Sequence, residues 1–341
     1  MTALAIIADD LSGALDSAAP FAEFGRRTIV ALAPEALGVA LRSGAEIIAV
    51  STDSREVAPE AARARVATAL AQLPANTKLF KKIDSRLKGN LVAELDAIAF
   101  RKALVVPAIP AFGRWMRDGL LGGFGVDTPI DIADRLGPHA ARATIPDATT
   151  QEDIRAALKN SNHDLLVGAR ALAEAEAERM GAGTRSGERT MRGGPTVFVI
   201  GSTDPITLEQ VARLRRERPG TTHIAAPNGA VPEAARLEGP VTIVQAAPGE
   251  VRADPAEVAR RLAQGLERLA PPRDATLVLS GGATAQAVLG QLGIDLIEVL
   301  GEVLPGLPLA DAGGLKLITK SGGFGAPDTL VRVLERQGMR Q

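Results

Sequence analysis

Two adjacent carboxylates, Asp9 and Asp10, follow directly after a short apolar segment at residues 4–7. An Ala-rich segment suited to a helix comes next. A strand that turns into a helix here would place both acids at the carboxyl edge of a sheet, where open α/β sheets bind ligands. Because adjacent like charges repel, such a pair usually faces a cation, a metal or a polyol. The alternative is that Asp10 or Ser12 only caps the helix.

A second polar cluster ends another predicted strand, at residues 81–90. It brings Lys82, Asp84, Ser85 and Arg86 into one turn. A guanidinium can hold a carboxylate through two hydrogen bonds, an ammonium supplies a point charge, and a carboxylate binds a hydroxyl or takes its proton. So many charged and polar side chains in one turn exceed what a helix cap needs, so we favour a ligand site. The alternative is a solvated strand end in which Asp84 or Ser85 caps the next helix.

A third strand end, at residues 51–55, carries Asp53, Ser54 and Arg55. These side chains are predicted on the same sheet edge as the acid pair, because the carboxyl ends of parallel strands lie together. Taken alone, the segment is also typical of an N-cap turn.

A fourth strand end, at residues 107–119, carries Arg114, Arg117 and Asp118 beside the chain's single tryptophan, Trp115. The cluster is compatible with a lid or with a phosphate contact. Packing of Trp115 against its own domain is the plainer expectation.

Glycines follow strands in the second half of the chain. Gly281 and Gly282 lie between a predicted strand and a predicted helix. Glycine lets the backbone approach a ligand closely, and the free N–H groups of a helix start attract anions, which favours a phosphate cradle. The segment is neither a Walker A nor a GxGxxG motif. A tight turn capped by Thr284 is equally compatible.

Residues 319–325 form a second glycine-rich strand end, which contains Lys320, Gly322 and Gly323. Two such ends in one small domain favour a nucleotide site more than either does alone. Ser202 ends a further strand and could add a hydroxyl to this site. The alternative is that Ser202 or Thr203 caps the following helix.

The elements that must position these residues alternate between apolar strand segments and helical segments, which predicts an α/β fold. In the first half, strands are predicted at 3–8, 27–32, 46–51, 78–83, 103–107 and 164–169, and helices at 13–24, 34–42, 57–73, 90–100, 151–160 and 171–180. In the second half, strands are predicted at 196–201, 222–226, 241–246, 275–280 and 315–319, and helices at 206–217, 255–269, 283–292 and 327–337. Segment 111–150 loses this regularity.

A polar, glycine-rich stretch without apolar periodicity separates the two halves. We therefore predict an N-terminal domain over residues 1–180, a linker over 181–195 and a C-terminal domain over 196–341. Each domain is expected to have a mainly parallel sheet flanked by helices.

Composition narrows the function classes. The chain has 341 residues, 46% of them hydrophobic and 23% charged, with a net charge of −1, as is usual for a globular protein. No basic excess indicates nucleic acid. The absence of cysteine excludes disulfides, thiolate metal sites and cysteine nucleophiles, and favours the cytoplasm. No apolar run reaches the roughly 18 residues of a membrane span. The three histidines, His139, His163 and His223, share no ligand spacing, so no zinc site is predicted.

Taken together, these segments resemble the four-carbon acid sugar kinase family over nearly the whole chain. The resemblance rests on the order and spacing of residues 7–16, 51–55, 81–90, 107–114, 200–202, 280–284, 304–306 and 320–325. It implies ATP-dependent phosphorylation of sugar acids such as threonate, erythronate or oxo-tetronates. It implies an N-terminal acid-sugar domain and a C-terminal nucleotide domain, with ATP contacts at Ser202, Gly281, Gly282, Ala283, Thr284 and Gly322.

The chain departs from the family pattern in several places. It is shorter than expected, mainly between residues 115 and 195. Ala283 stands where Glu or Asp is frequent, which bears on a magnesium or ribose contact. Lys88 stands where Arg is usual, and Trp115 follows Arg114 where small hydroxyl residues are frequent. Of the properties that the resemblance implies, the identity of the substrate is the one that these differences affect most.

The mechanism that we hypothesise places the reaction in a cleft between the two domains. Arg55, Lys82 or Arg86 would hold the substrate carboxylate, and Asp10 or Asp84 would accept the proton of the terminal hydroxyl. Substrate hydroxyls would bond Asp9, Asp53 or Ser85, and Ser54 and Arg114 complete the predicted substrate site. Mg²⁺ would bridge the triphosphate of ATP, while Lys320 would stabilise the transferring group, with Gly323 beside it.

Two alternatives stay open. One is another phosphoryl-transfer or sugar-acid enzyme on the same scaffold, and the other is a module that senses a sugar acid or a nucleotide without turnover. The acid and base candidates at the first sheet edge argue against pure sensing. The expected partners are a sugar acid and ATP, and a homodimer is the expected assembly.

Overall fold

The computed structural model of this chain describes residues 2–160, 162–181, 194–251 and 253–339. Backbone contacts divide the chain into two compact units, Met1–Arg185 and Ser186–Gln341. The linker predicted at 181–195 lies for the most part outside the described residues. Across the described ranges, no helix is long and apolar enough to cross a membrane.

The first unit is built from short strands and helices in alternation. Its described strands are β1 (Leu4–Ala8), β2 (Thr28–Ala31), β3 (Ile47–Ser51), β4 (Lys78–Lys82), β5 (Ala103–Val106), β6 (Arg114–Arg117), β7 (Leu120–Gly123), β8 (Val126–Asp131), β9 (Ala143–Thr144) and β10 (Leu165–Gly168). Its described α-helices are α1 (Leu11–Glu23), α2 (Leu37–Arg42), α3 (Pro59–Leu70), α4 (Leu91–Asp96), α5 (Ile132–Leu136), α6 (Gln151–Lys159) and α7 (Arg170–Met180).

Seven of these strands pair in parallel, in the order β2-β3-β1-β4-β10-β5-β9. Every residue of β1 and β3 is buried, as expected for parallel strands covered on both faces. This is why these strands are continuous apolar runs in the sequence. The predicted α/β fold class, with mainly parallel strands flanked by helices, is confirmed.

Segment 111–150, where the sequence showed no regular alternation, contains the antiparallel sheet β6-β7-β8. Asp118 and Gly119 join β6 to β7 with φ of 51° and 76°. An Asp-Gly pair with positive φ is the two-residue turn of a tight hairpin, so this signal could have predicted the hairpin. Trp115 packs across the hairpin on Gly122, where a Cβ would lie 2.5 Å from its ring, so the packing interpretation of Trp115 is correct.

The second unit repeats the architecture. Its described strands are β11 (Thr196–Ile200), β12 (Thr222–Pro227), β13 (Val241–Ala247), β14 (Thr276–Ser280), β15 (Leu296–Leu304), β16 (Leu307–Ala312) and β17 (Leu315–Lys320). Its described helices are α8 (Pro205–Glu217), α9 (Pro255–Leu269), α10 (Gly282–Gln291) and α11 (Thr329–Arg336). The strand order is β12-β13-β11-β14-β17-β16-β15, in which β16 runs antiparallel to both neighbours and the other pairs are parallel.

The hairpin of β15 and β16 was not predicted, although Pro305 and Gly306 separate the two strands as a turn dipeptide. Elsewhere in this unit the predicted helices and strands lie within two residues of those observed. Helix α9 buries Ala259, Leu262 and Leu266, whose three- and four-residue spacing is the apolar stripe that predicted it.

Candidate active site

The first candidate site lies at the carboxyl edge of the first unit. The register pairs Ala8 with both Ser51 and Lys82, so β1, β3 and β4 end at the same level. The residues that follow these strands therefore come together, as the sequence predicted for Asp9 and for the polar segments after β3 and β4.

Arg55 joins the two acids. Its Nε and Nη2 donate to the two carboxylate oxygens of Asp9 at 2.8 and 2.9 Å, and its Nη1 donates to Asp10 Oδ2 at 2.8 Å. All three guanidinium nitrogens are thus engaged by the acid pair. Such a bidentate, charge-assisted arrangement fixes the orientation of both acids.

The two acids differ in exposure and in electrostatics. The Asp9 side chain is 2% exposed, whereas Asp10 keeps 23% exposed. Burial opposes ionisation of Asp9, but the attraction of Arg55 outweighs it, with help from Lys81 and Lys82, and the pKa of Asp9 is lowered. Burial also raises the pKa of Asp10, where the opposing attraction of Arg55 is insufficient and the charge of Asp9 adds to the rise. Asp10 is therefore the more accessible and more basic carboxylate of the pair.

Asp10 also caps α1, because its Oδ1 accepts the Gly13 N–H at 2.7 Å. The capping interpretation of Asp10 is therefore correct, and its other carboxylate oxygen remains on Arg55. A Cβ on Gly13 would lie 2.6 Å from Asp10 Oδ1 and 2.9 Å from Lys82 Nζ. Glycine at this position lets the Lys82 ammonium approach the acid pair.

Asp84 organises the loop after β4 and does not cap α4. Its Oδ1 accepts the backbone N–H of Arg86 at 2.8 Å, and its Oδ2 lies 3.9 Å from Arg55 Nη1. The loop includes Leu87 with φ of 56°, a left-handed backbone conformation. Asp84 is therefore held beside the guanidinium that joins Asp9 and Asp10.

Two cations lie on the other side of this loop. Arg114 Nη1 donates to Ser85 Oγ at 2.6 Å, and its Nη2 donates to the Phe124 carbonyl at 2.8 Å. Burial lowers the pKa of Arg114, and the charge of Arg86 lowers it further. Within the described part of the chain, the exposed Arg86 guanidinium has no hydrogen bond or ion pair of its own. Arg114 Nε also donates to the Phe124 carbonyl, at 3.2 Å, so all three of its nitrogens bond neutral oxygens. Two neighbouring guanidiniums without a carboxylate partner favour an anion between them.

Ser54 does not reach the surface of this site, contrary to the prediction that it binds substrate. It is fully buried, donates to a Glu94 carboxylate oxygen and lies 2.7 Å from the Thr52 hydroxyl. Glu94 in turn pairs with the buried ammonium of Lys81 at 2.9 Å. This buried network holds the ends of β3 and β4 in place. Sequence reasoning missed Glu94 because it lies on a helix forty residues away from its partner serine.

Asp53 is not engaged with the acid pair either. Its side chain is 69% exposed and pairs with Arg65 at 3.3 Å. Its φ of 47° turns the chain sharply between β3 and Arg55. Asp53 therefore shapes this turn, and its contact with a substrate hydroxyl stays a prediction.

The second candidate site is a cleft of about 920 Å³ within the second unit. The register aligns Ile200 with Ser280 and Ser280 with Lys320, so β11, β14 and β17 end at one edge. The predicted residues that line the cleft are Ser202, Gly281, Gly282, Ala283, Thr284 and Gly322. The lining residues that the sequence did not single out for the site are Gly201, Thr203, Asp204, Pro205, Asn228, Ala246, Ala247, Pro248, Gly249, Ala253, Pro255, Val258 and Ala259.

Glycine is required at the backbone of this cleft. Gly281 precedes α10 with φ of 106°, which side chains rarely allow. A Cβ on Gly322 would collide with Ser202 Oγ, and one on Gly201 would collide with Thr284 Oγ1. Backbone N–H groups at such a helix start can bind an anion. Neither Thr284 nor Ser202 caps a helix, because Gly281 precedes α10 and Asp204 caps α8.

Lys320 does not line the cleft, contrary to the prediction that it stabilises the transferring group. Its buried ammonium lies 2.9 to 3.1 Å from the carbonyl oxygens of Ser321, Gly322 and Phe324 and from Thr207 Oγ1, four acceptors that share its three N–H groups. Burial lowers its pKa to about 8. Lys320 instead folds the glycine loop that presents Gly322, and Gly323 also lies outside the cleft lining.

The histidines are each engaged in local contacts. His139 bonds Asp96, His163 bonds Thr144 and His223 bonds Gln245. Among the residues with described positions, no group of three or more His, Cys, Asp or Glu side chains could hold a metal ion without other ligands.

Comparison with known proteins gives matches over both units. The chain matches a family model described as a sugar-binding N-terminal domain over residues 4–126 and one described as a nucleotide-binding C-terminal domain over residues 197–330. It is 32% identical to a D-threonate kinase of Cupriavidus necator, with 95% of each chain covered. It is 30% identical to a D-threonate kinase of Bordetella bronchiseptica, with 97% of this chain and 96% of the relative covered.

A more distant relative is a 3-oxo-tetronate kinase of Methylobacterium radiotolerans, 28% identical over 98% of this chain and 99% of the relative. The alignment with the Cupriavidus protein spans 399 positions, so that relative has residues without a counterpart in this chain of 341.

Two solved structures share the fold. A Salmonella typhimurium protein has a TM-score of 0.74 at 17% identity, with 96% of this chain and 98% of that one covered. A Haemophilus influenzae protein has a TM-score of 0.67 at 21% identity, with 98% of this chain and 99% of that one covered.

Proposed function

Because this chain belongs to the four-carbon acid sugar kinase family, we propose that it transfers the terminal phosphoryl group of ATP to the terminal hydroxyl of a four-carbon sugar acid. The observation that carries the proposal is the 32% identity to a D-threonate kinase over 95% of both chains. The two candidate sites supply what this reaction needs, namely an edge with acids and cations and a glycine-built cleft.

The domain roles follow the family models. Residues 1–180 would bind the sugar acid, and residues 196–341 would bind the nucleotide, which agrees with the descriptions of the two matched models. Phosphoryl transfer would then require that the two bound substrates meet.

The substrate carboxylate would be held by Arg86 and Arg114. Arg55 was a candidate in the sequence, but two carboxylates, Asp9 and Asp10, already balance its charge. Arg114 donates only to the neutral oxygens of Ser85 and Phe124, so its charge has no carboxylate partner within ion-pair distance among the described residues. The two remaining guanidiniums lie close enough for one to lower the pKa of the other, and an anion between them would relieve that repulsion. Ser85, already bonded to Arg114, is placed to contact a neighbouring substrate hydroxyl.

The proton of the terminal hydroxyl would pass to Asp10. A general base must be reachable by its substrate, and its strength increases with its pKa. Asp10 is partly exposed with a raised pKa, whereas Asp9 is buried with a lowered one. Asp9 would therefore orient Arg55, and Asp84 would orient the hydroxyl. Phosphoryl transfer depends mainly on positioning and charge neutralisation, so a carboxylate suffices as the base.

The charge that develops during transfer would be balanced by Lys82. Its ammonium is nearly buried, donates to the Ile83 carbonyl at 2.8 Å and lies beside Asp10 across Gly13. A fixed cation in a site of low dielectric stabilises a phosphoryl group in transit.

The triphosphate would lie against Ser202, Gly281, Gly282, Ala283, Thr284 and Gly322, where the backbone approaches without side chains in the way. The apolar wall of Pro248, Val258 and Ala259 would face the base of the nucleotide. The cleft offers oxygen ligands of the kind that Mg²⁺ prefers, and Mg²⁺ bound with the nucleotide would neutralise phosphate charge.

The test is ADP release by the purified chain with ATP, Mg²⁺ and a panel of D- and L-threonate, D- and L-erythronate and 3-oxo-tetronate. We expect turnover with at least one acid and none with threitol or erythritol, which lack the carboxylate. Thermal shifts with ATP or an acid but no turnover with any acid would contradict the kinase and favour the sensing module. The cytoplasmic location and the homodimer stay predictions.

A further inference from the structure

The cleft of the second unit has an unusual charge for a site that would take a polyanion. Among the described residues that line it, Asp204 carries the only charged side chain, and that charge is negative. The nearest cation to the loop, Lys320, lies outside the lining and spends its ammonium on carbonyls and on Thr207. A triphosphate placed here without a counterion would meet a carboxylate of like charge.

The Asp204 carboxylate has one oxygen in use and one unused. Oδ1 accepts the Ile206 N–H at 2.9 Å and so caps α8. Oδ2 has no hydrogen bond or ion pair with any described residue, and a Cβ on Gly323 would lie 2.9 Å from it. A neutral Ser or Asn would cap the helix as well as Asp does, so capping alone does not explain a charged residue at this position. The Asp204 charge also attracts the buried Lys320 ammonium. That attraction acts beyond ion-pair distance, because the ammonium donates to other oxygens, and it leaves Oδ2 without a bond.

A hydroxyl faces the same glycine loop as the Asp204 carboxylate. Ser202 Oγ accepts the Asp204 N–H at 3.2 Å and occupies the space that a Cβ on Gly322 would need, while Asp204 Oδ2 faces Gly323. The carboxylate and the hydroxyl therefore both contact this loop. Ala283 leaves the Gly281–Thr284 turn without an acid of its own.

We propose that Asp204 Oδ2 is the protein ligand, directly or through one water, of the Mg²⁺ that accompanies the nucleotide. The inference rests on the proposed function, since it assumes that this cleft binds ATP. Mg²⁺ is typically held by one or two carboxylates together with substrate phosphates and waters, which matches a single carboxylate with a hydroxyl that contacts the same loop. With the cation present, the Asp204 charge attracts the complex, and without it the same charge repels ATP.

The experiment measures the Kd of ATP by calorimetry in EDTA and in excess Mg²⁺, for the unaltered chain, Asp204→Asn and Asp204→Ser. Both variants keep a capping side chain and remove the charge. In Mg²⁺ they should bind ATP roughly tenfold more weakly or worse. In EDTA they should bind it as tightly as the unaltered chain or a few-fold more tightly. Mn²⁺ binding to the ATP complex, followed by electron paramagnetic resonance, should weaken in parallel.

The matched control is Asp254→Asn. Asp254 precedes a proline and caps α9 through Ala256 N–H at 2.8 Å, just as Asp204 precedes Pro205 and caps α8, but it does not line the cleft. Asp254→Asn should leave both Kd values within about twofold of the unaltered chain.

Equal weakening of ATP binding in EDTA and in Mg²⁺ by both Asp204 variants would overturn the inference, because it would indicate a structural role. The inference would also be overturned if Mg²⁺ changed the Kd of ATP by the same factor in the Asp204 variants as in the unaltered chain. If the unaltered chain bound no ATP at all, the proposed function would fail and this inference with it. That result is distinct from the two above, in which the unaltered chain binds ATP.

Discussion

Asp9 and Asp10 share one guanidinium but differ in exposure and in their remaining partners. Asp9 gives both oxygens to Arg55, whereas Asp10 divides its oxygens between Arg55 and the start of α1. The pKa values of the two acids move in opposite directions as a result. Two neighbouring carboxylates thus acquire different pKa values from their surroundings alone.

We predict that Asp10→Asn lowers kcat by about a hundredfold or more, because the hydroxyl loses its proton acceptor. The Kd of ATP should stay unchanged, since Asp10 belongs to the first unit and not to the nucleotide cleft. The measurement is kcat together with ATP affinity. Asp131→Asn is the control, because Asp131 also caps a helix, α5, through a backbone N–H at 3.0 Å. Turnover of Asp10→Asn within a few-fold of the unaltered chain would remove Asp10 from the chemistry.

Arg86→Gln tests the assignment of the substrate carboxylate. A hydrogen bond between charged groups contributes about 1.5–3 kcal/mol, so the KM of the sugar acid should rise by roughly 10- to 100-fold while the KM of ATP holds. Arg101→Gln is the control, because Arg101 is 92% exposed and pairs with Asp164. An unchanged KM for the acid would assign its carboxylate to other cations.

At the scale of elements, each candidate site exists because three parallel strands end in register. β1, β3 and β4 end together in the first unit, and β11, β14 and β17 in the second. The loops that follow are then shaped by single interactions, such as the Asp84 turn and the Lys320 ammonium. Function at these edges therefore depends on loop backbone as much as on side chains.

Gly322→Ala tests the close approach of the glycine loop. The new Cβ would displace Ser202 Oγ and enter the space in which the loop would meet the phosphates. If relieving that clash in the bound state costs about 1–3 kcal/mol, ATP binding should weaken by roughly tenfold or more. Gly290→Ala is the control, because it lies within α10 with no atom within 4 Å of its Cβ position. Titration calorimetry with ATP makes the comparison. Equal ATP affinity for the two variants would show that the loop does not touch the nucleotide.

Lys320 predicts a specific pH dependence of stability. Its pKa is about 8 in the folded chain, against about 10.4 for a free lysine. Between these pH values the unfolded chain binds one more proton at this position, so the free energy of unfolding rises with pH there. Below pH 8 the folded chain carries the full cost of a buried ammonium.

Lys320→Met removes this titration. The unfolding free energy of the unaltered chain, minus that of the variant, should therefore increase by roughly 2–3 kcal/mol between about pH 7 and pH 10. Urea denaturation at the two pH values measures the difference. A difference that stays constant or falls with pH would contradict the lowered pKa of Lys320.

At the scale of the whole molecule, much of the architecture was predictable from the sequence. Buried parallel strands are apolar runs, so β1, β3 and β11 were placed within one residue. The hairpin of β15 and β16 and the sheet β6-β7-β8 were missed, because their strands are short or interrupted by glycine and proline. Their turn dipeptides were the available signal.

The candidate sites were predictable where chemistry follows a strand end, and not where it depends on contacts between distant residues. Asp10, Arg55 and Gly281 follow strands, and the sequence placed them at these edges. Three other features depend on three-dimensional packing. Two acids occupy Arg55, Ser54 is buried against Glu94, and Lys320 faces its own loop. The sequence did not predict Asp204 as a site residue, because the hydroxyls of Ser202 and Thr203 just before it were the expected helix caps.

The most direct test of the proposed kinase activity is ³¹P NMR of the reaction of the unaltered chain with ATP, Mg²⁺ and D-threonate, with the other four-carbon acids in parallel. We expect a phosphomonoester on the terminal carbon of an acid, formed in a one-to-one ratio with ADP, and no such product with Asp10→Asn. Inorganic phosphate released at the same rate with or without any acid, and no phosphomonoester, would contradict it.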